Sequence, residues 1–169
     1  MIFHASIPAD DPEHVARVFA ELWQGEVFPF VFPGSYVVIP GGEHGTIMEI
    51  VPRGAEQVPA AREVGIHQNE APATYNEVHL NVGTSLSDDE IMAIAAREGW
   101  IARKCDRAFF YLIEVWIENR FLIELMPPSE QARYAEFYRT AENWRTATKH
   151  QPMPLPQFGF AKEWLAGPA

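Results

Sequence analysis

The sequence predicts an α+β fold built from two similar halves, and three observations lead to this prediction. His4 and His79 lie 75 positions apart, and Glu49 and Glu124 are separated by the same number of positions. Each half also has the pattern of one strand, one helix and then further strands. The segments 45–52 (GTIMEIVP) and 120–127 (RFLIELMP) align around the two glutamates, with apolar residues on apolar residues, Glu on Glu and Pro on Pro. An internal repeat of this kind indicates two copies of one module.

The first module, residues 1–52, begins with an alternating strand. In Ile2–Ile7 the apolar side chains share one face, whereas His4 and Ser6 share the other, which is typical of a half-buried strand. Asp10 or Asp11 can cap the helix that follows, and Gly25 is expected to end it. Three strands complete the module, at Glu26–Phe30, Ser35–Ile39 and Thr46–Val51.

The second module, residues 76–127, repeats this order. Its first strand, Glu77–Val82, places His79 on the polar face. A helix begins at the capping box of Ser87 and Glu90 and ends at Gly99. Three strands follow, at Trp100–Cys105, Tyr111–Ile117 and Phe121–Met126, and Tyr111 lies 75 positions after Tyr36.

The turn before the last strand determines which side chains face Glu124. A two-residue turn at Asn119–Arg120 would pair Val115 with Glu124 and place Glu114 on the other face of the sheet. The sequence therefore predicts that Glu114 points away from the candidate site.

The rest of the chain is expected to connect or extend the modules. Residues 53–75 are polar and are expected to form a linker of roughly twenty residues. An amphipathic helix is predicted at Ser129–Lys149, with an extended, proline-containing tail from Gln151. Residues 128–169 are expected to pack on the same domain as residues 1–127. The aromatic stripe of this helix is interpreted as packing or a dimer contact; it comprises Tyr134, Phe137, Tyr138 and Trp144.

Composition excludes several classes of function. A net charge of −10 disfavours nucleic-acid binding, which needs cationic residues against the phosphates. Cys105 is the only cysteine, so no intrachain disulfide can form, and it is interpreted as a core residue. There is no signal-peptide pattern and no apolar run of about 18 residues that would cross a membrane. We therefore expect a soluble, cytoplasmic protein with a small-molecule substrate and without a nucleic-acid or membrane partner.

His4, Glu49, His79 and Glu124 are the candidate metal ligands. If the helices cover one face of the sheet, the opposite face forms a cup that holds all four side chains. Two carboxylates packed together are costly unless a cation neutralises them. Two imidazoles with two carboxylates suit one divalent ion, whether Zn, Ni, Fe, Mn or Co.

These residues resemble those of the vicinal oxygen chelate superfamily, which includes glyoxalase I, extradiol dioxygenases and bleomycin-binding proteins. The order His, Glu, His, Glu is most similar to bacterial-type glyoxalase I, and the segment Ile117–Leu125 resembles the closing hairpin of the family, without its usual Asp-Pro-Asp-Gly turn. The resemblance covers residues 2–127. It implies two tandem βαβββ modules that form a curved mixed sheet, with a metal in its cup. Dimerisation fits this resemblance, because family members often build or bury the cup between subunits.

The resemblance also implies a reaction. The metal would bind two vicinal oxygens of a small substrate and stabilise the enediolate formed when a proton leaves the adjacent carbon. Glu124 is the first candidate for the proton shuttle, and Glu49 is the second. Pro8 stands where glyoxalase I carries an arginine for glutathione, which argues against glutathione as cosubstrate. Candidate anion-binding side chains are Arg53, Arg103 and Arg120.

Three other interpretations are compatible with the sequence. The protein could be an Fe(II) extradiol-type dioxygenase, or a metal-free small-molecule binding protein of the same fold. It could also be a metal-bound protein in which the added C-terminal helix covers the cup. Glu77 is interpreted as a rim carboxylate, and the other histidines are expected to have no role in the metal site: His14, His44, His67 and His150.

Overall fold

A computed structural model of the chain describes residues 2–42, 45–62, 64–107 and 109–139. Two βαβββ modules are present, as predicted. The first contains β1 (His4–Ala9), α1 (Pro12–Trp23), β2 (Glu26–Pro29), β3 (Tyr36–Ile39) and β4 (Ile47–Pro52). A hairpin follows, formed by β5 (Ala55–Pro59) and β6 (Val64–Gln68). The second contains β7 (Leu80–Gly83), α2 (Asp88–Glu98), β8 (Ile101–Asp106), β9 (Tyr111–Ile117) and β10 (Phe121–Met126), and α3 (Pro128–Tyr138) comes after it.

The modules form two mixed four-stranded sheets of identical topology. Their strand orders are β1-β4-β3-β2 and β7-β10-β9-β8, and the first and last strands of each module run parallel. Ser6 lies opposite Glu49, and Asn81 lies opposite Glu124. The 75-residue repeat therefore persists in the register of the strands that carry the candidate ligands.

The third strand of each module does not follow the same offset. Val37 lies opposite Glu49, whereas Glu114 lies opposite Glu124, so the equivalence of these two strands is shifted by two residues. Tyr36 and Tyr111 are consequently not structural equivalents, although the sequence repeat aligns them.

The turn prediction for β9 and β10 was wrong by one residue. The turn contains three residues, Glu118, Asn119 and Arg120, and the first two have positive φ values of 51° and 56°. A shift of one residue reverses which face each side chain occupies. As a result Glu114, and not Val115, faces Glu124.

The caps of α1 differ in part from the prediction. The Asp11 carboxylate accepts a hydrogen bond from the backbone N–H of His14, as expected for one of the two proposed caps. Gln24 adopts the left-handed conformation (φ 58°) at the helix end that had been assigned to Gly25. Gly25 instead permits a close chain approach, because a Cβ there would lie 2.8 Å from the carbonyl oxygen of Ile39.

The predicted caps of α2 are confirmed. Ser87 and Glu90 form both hydrogen bonds of the capping box, and Gly99 ends the helix with a φ of 69°. Ile91, Ile94 and Ala95 form its buried side. A single apolar core joins this helix, α1 and the inner faces of both sheets.

Two strands begin later than the sequence indicates, and one hairpin was missed. β1 starts at His4 and β7 starts at Leu80, after His79. The apolar side chains just before these strands are exposed, and Val78, which was expected to face inward, is 60% exposed. The hairpin of β5 and β6 lies in residues 53–75, which had been predicted to be a linker. Its strands bury little apolar surface, so the usual strand signal is weak.

The described part of the C-terminal region is helical. The helix predicted at Ser129–Lys149 begins at Pro128, and the structure describes it to Tyr138. An aromatic cluster lies between this helix and the loop before β9; it comprises Phe109, Phe110, Tyr134, Phe137 and Tyr138. None of the described helices is long and apolar enough to cross a membrane. The tail predictions lie outside the described residues, as do Trp144, His44 and His150.

Glu118 joins the two modules at one end of the molecule. Its carboxylate accepts hydrogen bonds from the backbone N–H groups of Asp10 (2.6 Å) and Asp11 (2.8 Å), at the start of α1. The Arg53 guanidinium lies 3.4 Å from the same carboxylate. Each module therefore fixes the position of the other.

Replacing Glu118 with alanine is expected to lower the free energy of unfolding by about 1–2 kcal/mol, because two backbone donors lose a charged acceptor. Urea denaturation measures this change. Glu77→Ala removes an exposed carboxylate outside this junction and is the matched control. Equal stability of the two variants would contradict a structural role for the Glu118 contacts.

Candidate functional site

The first half-site is formed by His4 and Glu49 on neighbouring strands. Glu49 is 7% exposed, and its Oε2 accepts a hydrogen bond of 2.6 Å from Ser6 Oγ. Its other oxygen, Oε1, lies 3.9 Å from His4 Nε2. Met48 and Ile50, which flank Glu49, point into the core, so the carboxylate is directed to the opposite face of the sheet.

The second half-site repeats this arrangement with His79 and Glu124. His79 Nε2 lies 3.7 Å from Glu124 Oε2, which also accepts a hydrogen bond of 3.4 Å from Asn81 Nδ2. Asn81 therefore takes the place of Ser6. The imidazole is half exposed in both half-sites, whereas both carboxylates are largely buried.

The geometry of each half-site fits two ligands of one metal ion. The nitrogen–oxygen distances of 3.9 Å and 3.7 Å exceed hydrogen-bond length. Two neighbouring ligand atoms that are each about 2.1 Å from the same ion lie about 3.0–3.4 Å apart, so each pair would close by roughly half an ångström on binding. Imidazole nitrogen and carboxylate oxygen are also the donor types that divalent transition ions prefer. The residues present therefore fit a divalent metal, two ligands at a time.

A single chain does not bring the four predicted ligands to one point. Among residues 2–42, 45–62, 64–107 and 109–139, no group of three or more His, Cys, Asp or Glu side chains is arranged to hold an ion. The structure brings His4 to Glu49 and His79 to Glu124, but it leaves the two pairs apart. Their role as ligands remains a prediction.

Arg107 is a site residue that the sequence analysis missed. It is 8% exposed, and its Nη2 lies 2.7 Å from Glu114 Oε1 and 3.5 Å from Glu124 Oε1. Burial lowers the pKa of this guanidinium, but the hydrogen bond to Glu114 and the nearby carboxylate charges outweigh burial and hold the pKa above its ordinary value. Arg107 thus stays cationic and compensates two carboxylates that face each other. The sequence could have indicated Arg107 only if the register of β9, which places Glu114 opposite Glu124, had been predicted correctly.

Comparisons with known proteins identify the fold. No protein-family model matches the sequence, and no curated protein matches it. Solved structures do match: FosX, a fosfomycin resistance protein from Listeria monocytogenes, gives a TM-score of 0.53 at 11% identity, covering 79% of this chain and 97% of that chain. Glyoxalase I from Leishmania major gives 0.52 at 15% identity, with 87% and 99% covered. Lactoylglutathione lyase from Agrobacterium tumefaciens gives 0.51 at 12% identity, with 76% and 93% covered.

The chain has the vicinal oxygen chelate fold. At these identities the likeness concerns architecture, and it confirms the paired βαβββ modules. Within this fold the two half-sites occupy equivalent positions, one in each module.

Both half-sites lie beside an unpaired sheet edge. β1 and β7 are edge strands among the described elements of their sheets. Phe3 and Val78, which immediately precede the two histidines and lie 75 positions apart, are each 60% exposed. Exposed apolar side chains next to free strand edges are typical of surfaces that meet another chain.

A cavity of about 610 Å³ adjoins the first half-site of this vicinal oxygen chelate fold. His4, Ser6 and Pro8 line it from β1, and the β5 strand with residues 72–78 forms its outer wall. Its volume lies within the range of small-molecule sites. The segment that was predicted to be only a linker, residues 53–75, therefore contributes side chains to this cavity.

The remaining candidate residues lie elsewhere or are already paired. Arg53 and Arg120 contact Asp10, and Arg103 is exposed on β8. His14 lies 2.7 Å from Glu98, on the helical side of the molecule. The other side chains in this group do not reach either half-site pair: Glu77 is exposed, and His67 faces Glu56 in the hairpin.

Two further side chains lie near the second half-site. Burial and the charge of Glu114 raise the pKa of the Cys105 thiol, which makes it a poor nucleophile at neutral pH. Burial, Tyr134 and Glu124 raise the pKa of Tyr138. Since His79 remains half exposed, the described part of α3 lies beside the second half-site without covering it.

Proposed function

We propose that this protein is a divalent-metal-dependent lyase or isomerase of the glyoxalase type, which acts on a small substrate with vicinal oxygens. The observation that carries the proposal is the repeated His–Glu pair, with the same ligand types at equivalent positions and at nearly equal separations of 3.9 Å and 3.7 Å. Among proteins of the same fold, Listeria FosX has been solved in complex with Mn(II) and a sulfate ion.

We further propose that the complete site forms between two copies of the chain. One copy would supply His4 and Glu49, and the other would supply His79 and Glu124. The free edges of β1 and β7 support this proposal, as do the exposed Phe3 and Val78 beside the histidines. A two-fold dimer would create two such sites and would cover both apolar side chains.

The metal would supply Lewis-acid chemistry when bound, by polarising a substrate carbonyl. Glu124 would take the proton from the carbon next to that carbonyl through a carboxylate oxygen. Its hydrogen bond from Asn81 is long, at 3.4 Å, whereas Ser6 holds Glu49 at 2.6 Å. Its ion pair with Arg107 is also long, at 3.5 Å, so Glu124 is held by longer contacts than Glu49, and Glu49 is the better-fixed ligand. The buried position of both carboxylates keeps water from competing for the proton.

Metal analysis tests this function. Purified protein that has been equilibrated with Zn²⁺, Ni²⁺ or Mn²⁺ and dialysed is expected to retain one ion per chain, and His79→Ala is expected to bind it at least tenfold more weakly. His14→Ala removes a histidine that is also paired with a glutamate, at a distance from both half-sites, and should bind metal normally.

The reaction class is tested by proton exchange. Hydroxyacetone, which carries a carbonyl and a hydroxyl on adjacent carbons, should exchange its carbon-bound protons in D₂O only with metal-loaded protein, as followed by NMR. Protein that retains no divalent ion, or equal retention by wild type and His79→Ala, would overturn the proposal. Retained iron with oxygen consumption on catechols would instead identify a dioxygenase.

A further inference from the structure

The cavity beside the first half-site has a charge pattern that selects among substrates. Three of its lining residues carry titratable or charged groups: His4, Arg53 and Glu56. His4 belongs to the half-site, which leaves one cation and one anion to set the field in the cavity. The other lining side chains are apolar or neutral amides and hydroxyls, such as Pro8, Gln57 and Asn76.

The cation in the cavity wall is already neutralised. Arg53 Nε lies 2.7 Å from Asp10 Oδ1, and its Nη2 lies 3.4 Å from Glu118 Oε2. The side chain is only 7% exposed, so it faces these two carboxylates and not the open space. Glu56 is half exposed and is held by the side-chain amide of Asn69 at 2.7 Å. The wall therefore presents one half-exposed carboxylate to the cavity, and its one lining guanidinium is already paired.

The second half-site would add no unpaired cation. Its buried guanidinium, Arg107, lies 2.7 Å from Glu114 and 3.5 Å from Glu124, and the charge of a divalent ion held by Glu49 and Glu124 would be balanced by those two carboxylates. Whichever copy of the chain closes the cavity, an anionic substrate tail would meet no uncompensated positive charge among these residues.

We infer that this cavity binds an uncharged, largely apolar substrate tail and discriminates against anionic tails, those of glutathione conjugates included. The inference rests on the proposed function, because it places the vicinal oxygens of the substrate at the His4–Glu49 half-site and its tail between β1 and the hairpin wall. The specificity wall is the β5 strand with Pro72 and Ala73, which lies outside the two repeated modules and thus belongs to one half-site only.

Three hydroxamates with one chelating head group test the inference: benzohydroxamic acid, its 4-carboxy derivative and its 4-aminomethyl derivative. Isothermal titration of the metal-loaded full chain should give affinity for the neutral compound at least roughly tenfold above that for the carboxylated one, as expected for one like charge at close range. The aminomethyl compound should bind at least as well as the neutral one.

A positive charge added to the cavity wall should reduce or abolish the preference for the neutral compound. Gln57→Lys is expected to improve binding of the carboxylated compound by roughly tenfold. Ala93→Lys adds the same charge on an exposed position of α2, outside the cavity lining, and should change nothing.

The outcomes separate the inference from the function on which it rests. If no hydroxamate binds in a metal-dependent way, both the proposed function and the inference fail. Metal-dependent binding of the neutral and carboxylated compounds with equal affinity would overturn the inference alone. An unchanged preference in Gln57→Lys would show that the tail does not enter this cavity.

Discussion

Two variants that each lack one half-site are expected to regain metal binding when they are mixed. The first variant carries His4→Ala and Glu49→Ala, and the second carries His79→Ala and Glu124→Ala. Neither can form a complete site alone. In a dimer of the proposed kind, a mixed pair combines the intact first half-site of one chain with the intact second half-site of the other. Random exchange should therefore restore about a quarter of the wild-type metal content, because half of the dimers are mixed and each has one of two sites intact.

The experiment distinguishes sites formed between chains from sites formed within one chain. Different affinity tags on the two variants allow the mixed dimers to be isolated after subunit exchange, and these should bind one ion per two chains. If each chain built its own site, every chain in the mixture would still lack two ligands and no metal would be retained. Two variants that are both altered in the first half-site serve as the control, since mixing them cannot assemble a complete set.

The part of the site that could be predicted from sequence is the part fixed by alternation and repeat. In the first strand of each module polar and apolar residues alternate, and the last strand carries one glutamate among apolar residues; both features recur at the same spacing, which parallel pairing preserves. His4 therefore reaches Glu49 and His79 reaches Glu124, as the repeat indicated. These contacts depend on strand geometry alone, and strand geometry is what a period-two pattern encodes.

What could not be predicted depended on turns and on weakly apolar strands. The register of β9 depends on the length of the turn: Glu118, Asn119 and Arg120 form a three-residue turn, whereas a two-residue turn was predicted. The incorrect register placed Glu114 on the wrong face of the sheet, so the role of Arg107 was not predicted. The β5–β6 hairpin escaped detection because its strands bury little surface. Within one chain the predicted ligands meet only in pairs, and the repeat could not indicate this. The repeat describes the residues of each module, but it does not describe how the two modules are oriented relative to each other.

Arg107→Met is expected to cost about 2–4 kcal/mol of stability at pH 7, because it removes the guanidinium between two largely buried carboxylates that lie directly opposite each other. The pKa of the Arg107 guanidinium is held above its ordinary value, so the group is cationic at pH 7 and the variant removes one positive charge from between the carboxylates. Urea denaturation of wild type and variant at pH 7 measures the loss.

The first module provides the control for this prediction, since the position equivalent to Glu114 there is Val37. Adding Glu114→Val to Arg107→Met reproduces that pairing, in which a single glutamate faces an apolar neighbour without a compensating guanidinium. The double variant should recover most of the lost stability at pH 7. A loss that persists in the double variant would mean that Arg107 stabilises the fold through packing. Recovery would show that the second half-site differs from the first by one added carboxylate and the cation that this carboxylate requires.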